Sequence, residues 1–169
     1  KAKHFNYAEM EDIDYYNVAT PMTDILFKTT FEQGQLLDAL LTFNLSKRLN
    51  FSIAYEGMRS LGKYNFDQGE SGNFRTTANY VTKNGRYSLR THIAAQSVDT
   101  EENGGLIDND QFESGDDDYT NRVKVDVRFD ANLASNRILG KRYFLDHKYK
   151  VIKKQKDSSR VEKTSLALG

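Results

Sequence analysis

The chain has 169 residues, enough for one domain of ordinary size. Lys plus Arg equals Asp plus Glu at 24 each, so no net charge draws it to nucleic acid or to anionic lipid. Cysteine is absent, which excludes disulfides and thiolate metal sites, and with a mean hydropathy of −0.71 no stretch approaches the ~18 apolar residues of a membrane helix. A membrane β-barrel stays open, because its strands are apolar only at every second residue.

Pro21 is the single proline, so nothing after it breaks a long run of strands. Ile25, Phe27 and Phe31 alternate with Asp24, Lys28 and Glu32, which predicts a strand over 23–32. The run Leu36-Leu37-Asp38-Ala39-Leu40-Leu41 also fits a helical face. It is read as a strand over 36–45 because Thr42, Phe43 and Asn44 continue the alternation. A tight turn follows at 46–48. Strand 50–59 alternates Phe51, Ile53 and Tyr55 with Ser52, Ala54 and Glu56. A long polar connection covers 60–72. Strand 73–82 sets Phe74, Ala78 and Tyr80 against Arg75, Thr77 and Asn79. Asn84-Gly85 is a strong hairpin signal. Strand 87–98 sets Tyr87, Leu89, Ile93 and Ala95 against Ser88, Arg90, His92 and Gln96.

A long acidic loop covers 99–120. The clearest alternation of all then runs over 121–130. Val123, Val125, Val127 and Phe129 point one way; Arg122, Lys124, Asp126, Arg128 and Asp130 point the other. A connection of middle length covers 131–140. Strand 141–152 sets Tyr143, Leu145, Tyr149 and Val151 against Asp146, Lys148 and Lys150. A truncated eighth strand is read over 161–169.

The fold class expected is all-β: an antiparallel up-and-down meander, a segment of a transmembrane β-barrel spanning 1–169 as one unit. Strands of ~9–11 residues suit a tilted bilayer crossing, where soluble strands run to ~5–6. Short turns alternate with long loops, as in outer-membrane barrels. Aromatic pairs bracket the shorter connections: Phe43 with Phe51, Tyr80 with Tyr87, and Phe129 with Tyr143. Rings so placed suit a girdle at the membrane interface, or simple cross-strand pairing. Lys1-Ala2-Lys3-His4 carries no signal-peptide core, and the run from Thr164 reads as a strand stopped midway. Both suggest a piece of a longer barrel.

The side chains expected to line a lumen are Arg75, Thr77, Asn79, Arg90, His92, Lys124, Asp126 and Arg128. Those expected to face lipid are Phe51, Ile53, Tyr55, Phe74, Tyr80, Leu89, Ile93, Val123, Val125, Val127 and Phe129.

Four short motifs carry a resemblance. They are Thr20-Pro21-Met22-Thr23, Arg59-Ser60-Leu61-Gly62-Lys63-Tyr64, Asn84-Gly85-Arg86-Tyr87 and Glu102-Asn103-Gly104-Gly105. In order and spacing, over roughly residues 15 to 150, the chain resembles the β-barrel porins of the Bacteroidetes group. The resemblance implies the outer membrane and a barrel of more than seven or eight strands. It brings no catalytic residues.

Other chemistry is poorly supported. Gly69-Glu70-Ser71-Gly72-Asn73 lacks the final Gly of a nucleophile elbow. His4, His92 and His147 have no ligand spacing. Asp108, Asp110, Asp116, Asp117 and Asp118 could attract Ca²⁺, but Phe112 stands where an EF-hand needs a ligand, and a solvated loop is the simpler reading. No catalytic, cofactor or metal site is expected. The expected partners are outer-membrane lipid and small hydrophilic solutes, without nucleic acid, and the expected role is part of a pore wall for passive diffusion. Two rivals stand beside it. One is the barrel of an active, plugged receptor, which needs a plug domain. The other is a soluble β-sandwich binding module, which would stay in water without detergent.

Overall fold

The computed structural model describes residues 6–30, 34–130, 134–151 and 167–168. All its strands lie in one antiparallel sheet, ordered as in the chain. They are β1 Met22–Thr30, β2 Gly34–Ser46, β3 Leu49–Ser60, β4 Gly69–Val81, β5 Tyr87–Glu101, β6 Ser135–Lys150 and the two-residue β7 Ala167–Leu168. The fold is thus an all-β up-and-down meander. The sheet is not closed: among the described residues β1 has no partner on its outer side. No described helix is long and apolar enough to cross a membrane.

The ambiguous leucine run is strand. Leu40 pairs with Asp24 on one side and Ala54 on the other, so ladders on both edges hold the segment extended. Two satisfied ladders override a helical periodicity of this length. The β4–β5 turn also follows from its residues. Gly85 takes φ +65°, its N–H donates to the Thr82 carbonyl at 2.9 Å, and the Asn84 side chain accepts from the Arg86 N–H at 3.1 Å. Here the glycine, rather than the asparagine, supplies the left-handed residue that closes the hairpin.

The connections segregate. Tight turns at 47–48 and 82–86 lie at one end of the sheet; the loop 61–68 and the described part of the β5–β6 connection, 102–130 and 134, lie at the other. The two long loops are tied at their bases. Glu101 N–H donates to the Gln68 carbonyl at 2.8 Å, and the Asn103 side chain donates to the Asn65 carbonyl at 3.2 Å.

One expected strand is absent. Residues 121–130 belong to the β5–β6 loop, which also carries the single-turn helices α1 Asn109–Glu113 and α2 Asp117–Thr120 and a 3₁₀ turn Arg122–Lys124. β5 is already paired along its whole length with β6, from Tyr87↔Tyr149 to Glu101↔Ser135, so it has no edge left for 121–130. Residues 135–140, expected in a connection, are the first part of β6. Val125 and Val127 instead organise the loop. Val125 is buried at 1% exposure, and Val127 bridges to Leu106. The acidic residues serve locally too: Asp108 and Asp116 cap the two helices, and Asp118 pairs with Lys124 at 3.1 Å. Of the expected eighth strand only 167–168 lies within the described residues, where it pairs with Tyr149 and Lys150.

Val125→Ala should therefore loosen this loop by roughly 1–3 kcal/mol and leave the sheet intact. Limited proteolysis should speed up within 102–134 while the strands stay resistant. Equal cleavage rates in variant and parent would refute the loop core.

Candidate functional site

The register sorts the strand side chains into two faces. One row crosses the sheet through Thr42, Ser52, Thr77, His92 and Phe144, and a neighbouring row on the same face runs through Leu40, Ala54, Arg75, Ala94 and Arg142. Asn79 and Arg90 share this polar face. The opposite face carries Phe51, Ile53 and Tyr55 from β3, Phe74 and Tyr80 from β4, and Leu89 and Ile93 from β5.

That second face is apolar and bare. Ile25 is 66% exposed, Leu139 68% and Tyr143 75%. In β3 the apolar stretch runs from Leu49 to Gly57. At ~3.3 Å per residue and a barrel tilt of ~35–45°, it stands about 20–25 Å tall. Its two borders differ. Toward the long loops a charged row closes it, with Arg59 and Glu70 paired at 3.0 Å and Arg137 and Asp99 at 2.6 Å. Toward the tight turns the border is aromatic. Phe43 and Phe51 sit ring to ring at 5.8 Å, Tyr80 and Tyr87 lie nearby in register, and Arg86 lies over the Tyr149 ring at 5.5 Å. Lys141 interrupts the band on β6, level with Ala95.

The polar face is covered. Residues 6–20 cross it from β6 to β2, and each contact has a physical cause. Gln96 grips the backbone of Ala8 with both ends of its amide, donating to the carbonyl at 2.9 Å and accepting from the N–H at 2.8 Å. Asn44 donates to the Val18 carbonyl at 2.7 Å and accepts from the Val18 N–H at 3.5 Å. Asn79 donates to the Tyr16 carbonyl, and the Tyr15 hydroxyl shares a hydrogen bond of 2.8 Å with His92 Nδ1. Arg142 donates to the Ala8 carbonyl at 3.2 Å and pairs with Glu9 at 3.1 Å. Tyr7 lies over Gly140, where a Cβ would come within 2.7 Å of its ring. Ile13 is buried at 5% exposure on a face whose centre is small, with Ser52, Ala54 and Ala94. Burial holds the phenols of Tyr15 and Tyr16 above the ordinary tyrosine range, so both rings stay neutral at physiological pH.

The residues expected along one lumen therefore fall into two groups. Arg75, Thr77, Asn79, Arg90 and His92 do share a face, though Thr77 and His92 are buried at 4% and 1% exposure. Lys124, Asp126 and Arg128 stand apart in the β5–β6 loop, because 121–130 is not a strand. For the same reason Val125, Val127 and Phe129 share no face with Phe74 and Tyr80. The third aromatic pair dissolves as well: Phe129 packs by Gly104 in the loop, while Tyr143 sits mid-sheet beside Ile93. Sequence reading assigned nothing to 6–20, and so missed Tyr7, Ile13, Tyr15, Asn44 and Gln96 as a contacting set. A signal existed: alanines, a serine and Gly140 cluster at the middle of an otherwise polar face, where a second layer can approach closely.

A family model described as "Putative porin" matches residues 1–168. No curated protein and no solved structure matches the chain. With essentially the whole chain covered, and the meander it folds into, the chain belongs to this porin family.

Proposed function

We propose that this chain forms part of the wall of an outer-membrane pore through which small hydrophilic solutes diffuse passively, with the apolar face against lipid and the polar face toward the lumen. The observation that carries the reading is the bare apolar band. It crosses β1 to β6, and charges and rings border it. Water would make so large an exposed apolar surface unfavourable, whereas a barrel wall of ~25 Å in lipid requires one. The polar face has the opposite character. Its ion pairs lie within the strands, Arg75 with Glu56 at 3.5 Å near mid-strand and Arg90 with Asp146 at 2.6 Å nearer the tight turns, and a wet interior suits both. Backbone groups in a bilayer must be paired, and between neighbouring strands from β1 to β6 the ladders meet that demand, as a wall that continues into further strands would. The role is non-enzymatic: transport follows from a polar passage, and no bond is made or broken.

Two outcomes are expected. The full-length protein, reconstituted in planar lipid bilayers, should give stepwise ohmic conductance, and its liposomes should swell faster with smaller sugars. Silent bilayers would refute the pore. The faces can be tested by placing the same residue on each at equal depth. Ile93→Arg should cost about 2–4 kcal/mol of folding free energy in lipid vesicles, as expected near the bilayer midplane. Asp24→Arg, on the polar face, should cost less than about 1 kcal/mol, in keeping with an exposed site. Equal costs would mean that neither face meets lipid.

A further inference from the structure

We infer that residues 6–20 are a fixed strap inside the lumen, one that narrows the pore and gives it a preference for cations; this rests on the pore-wall reading above. The strap lies across the strands rather than along them. It is held near one end by Gln96 and Arg142 and near the other by Asn44, with Tyr15 on His92 between. Side-chain amides that both donate to and accept from one residue's backbone fix its position as a sheet edge would. Burial of Ile13 adds an apolar anchor to the polar ones. A segment so held occupies part of the cross-section that the wall would otherwise leave to solute.

Its charge has one sign. Residues 6–20 contain Glu9, Glu11, Asp12 and Asp14 and no Lys or Arg. Ile13 is buried, whereas its neighbours Asp12 and Asp14 are exposed. The wall arginines beneath are already engaged: Arg75 with Glu56, Arg90 with Asp146, and Arg142 with Glu9. Arg75 and Arg90 are thus spent on wall carboxylates, and Arg142 offsets Glu9 alone, which leaves the strap the charges of Glu11, Asp12 and Asp14. Carboxylates fixed where a passage is narrow raise local cation concentration and lower that of anions.

The sequence has no cysteine, so a single one can be placed and labelled cleanly. Asp14→Cys is made in the full-length protein carrying no other cysteine, and reconstituted in planar bilayers. A positively charged methanethiosulfonate is then added. Labelling should lower the single-channel conductance. In a salt gradient it should shift the cation-to-anion permeability ratio toward anions by about twofold or more at low ionic strength. Leu139→Cys, on the apolar face, should give no change. Channels that open normally while Asp14→Cys resists the reagent, or is labelled with conductance and selectivity unchanged, would overturn the strap and leave the pore standing. Parent protein that forms no channel at all would overturn the pore-wall reading itself.

Discussion

Everything in this sheet depends on an uninterrupted antiparallel register. From Asp24↔Leu40 to Arg90↔Asp146 each strand is aligned so that residues paired across the ladder share a face, which keeps the polar face on one side and the apolar band on the other. A slip of one residue in any pair would send that strand's rings to the polar face and its charges to the apolar one. The register is pinned where the chain reverses. A bulge near Asn44 and Ser46 sets the β2–β3 turn, and Gly85 sets the β4–β5 turn. Because the hairpins are local, each strand is fixed by its neighbour in sequence, and the two faces extend without a crossover from β1 to β6.

The polar face shows what that separation makes possible. A single polar sheet surface would leave Thr77, His92 and Gln96 to water. Here they are buried, and two of the three hold the segment that buries them. The small residues matter as much as the hydrogen-bonding ones. Gly140 gives Tyr7 room, and the small Ala54 and Ala94 are themselves buried on this covered face. A larger side chain at Gly140 would displace the Tyr7 ring and, through Ala8, disturb the contacts of both Gln96 and Arg142. The strap and the wall are in this sense one packed unit, and the charge at the centre of the polar face is set by both.

Much of this was legible in the sequence, and the failures have a common cause. Period-two alternation identified β1 to β5 and the late part of β6, because a strand with two different environments must alternate. The same rule misread 121–130, whose alternation is the most regular in the chain. Alternation states that two faces differ; it does not state that a partner strand is available. The partner was taken by 135–140, whose Ser135, Asn136 and Gly140 resemble a connection. Pairing between β5 and β6 is settled by the whole ladder, which no local window contains. Residues 6–20 escaped for a related reason. Their structure is irregular and comes from contacts with five strands, most of them far along the chain, such as Ala8 with Gln96, so local periodicity carries no trace of it.

Lys141 puts the pore-wall reading under its hardest physical constraint. It lies in the apolar band, on the face of Leu139 and Tyr143, where an ammonium buried in hydrocarbon would be costly. Lysine can meet such a position by laying its aliphatic stem along the apolar surface while its head reaches a polar border. The border is near. Along β6, Arg137 begins the charged row, and across the ladder Asp99 accepts it at 2.6 Å. On the neighbouring strand Ser97 lies between Ala95 and that row, so the route from Lys141 toward the long-loop end becomes polar within a few residues. Toward the tight turns the same face offers Tyr143 and Leu145 before His147, a longer way to a charged or polar border. The shorter route for a lysine at 141 therefore runs to the side of the long loops, which is the side where the charged pairs are found.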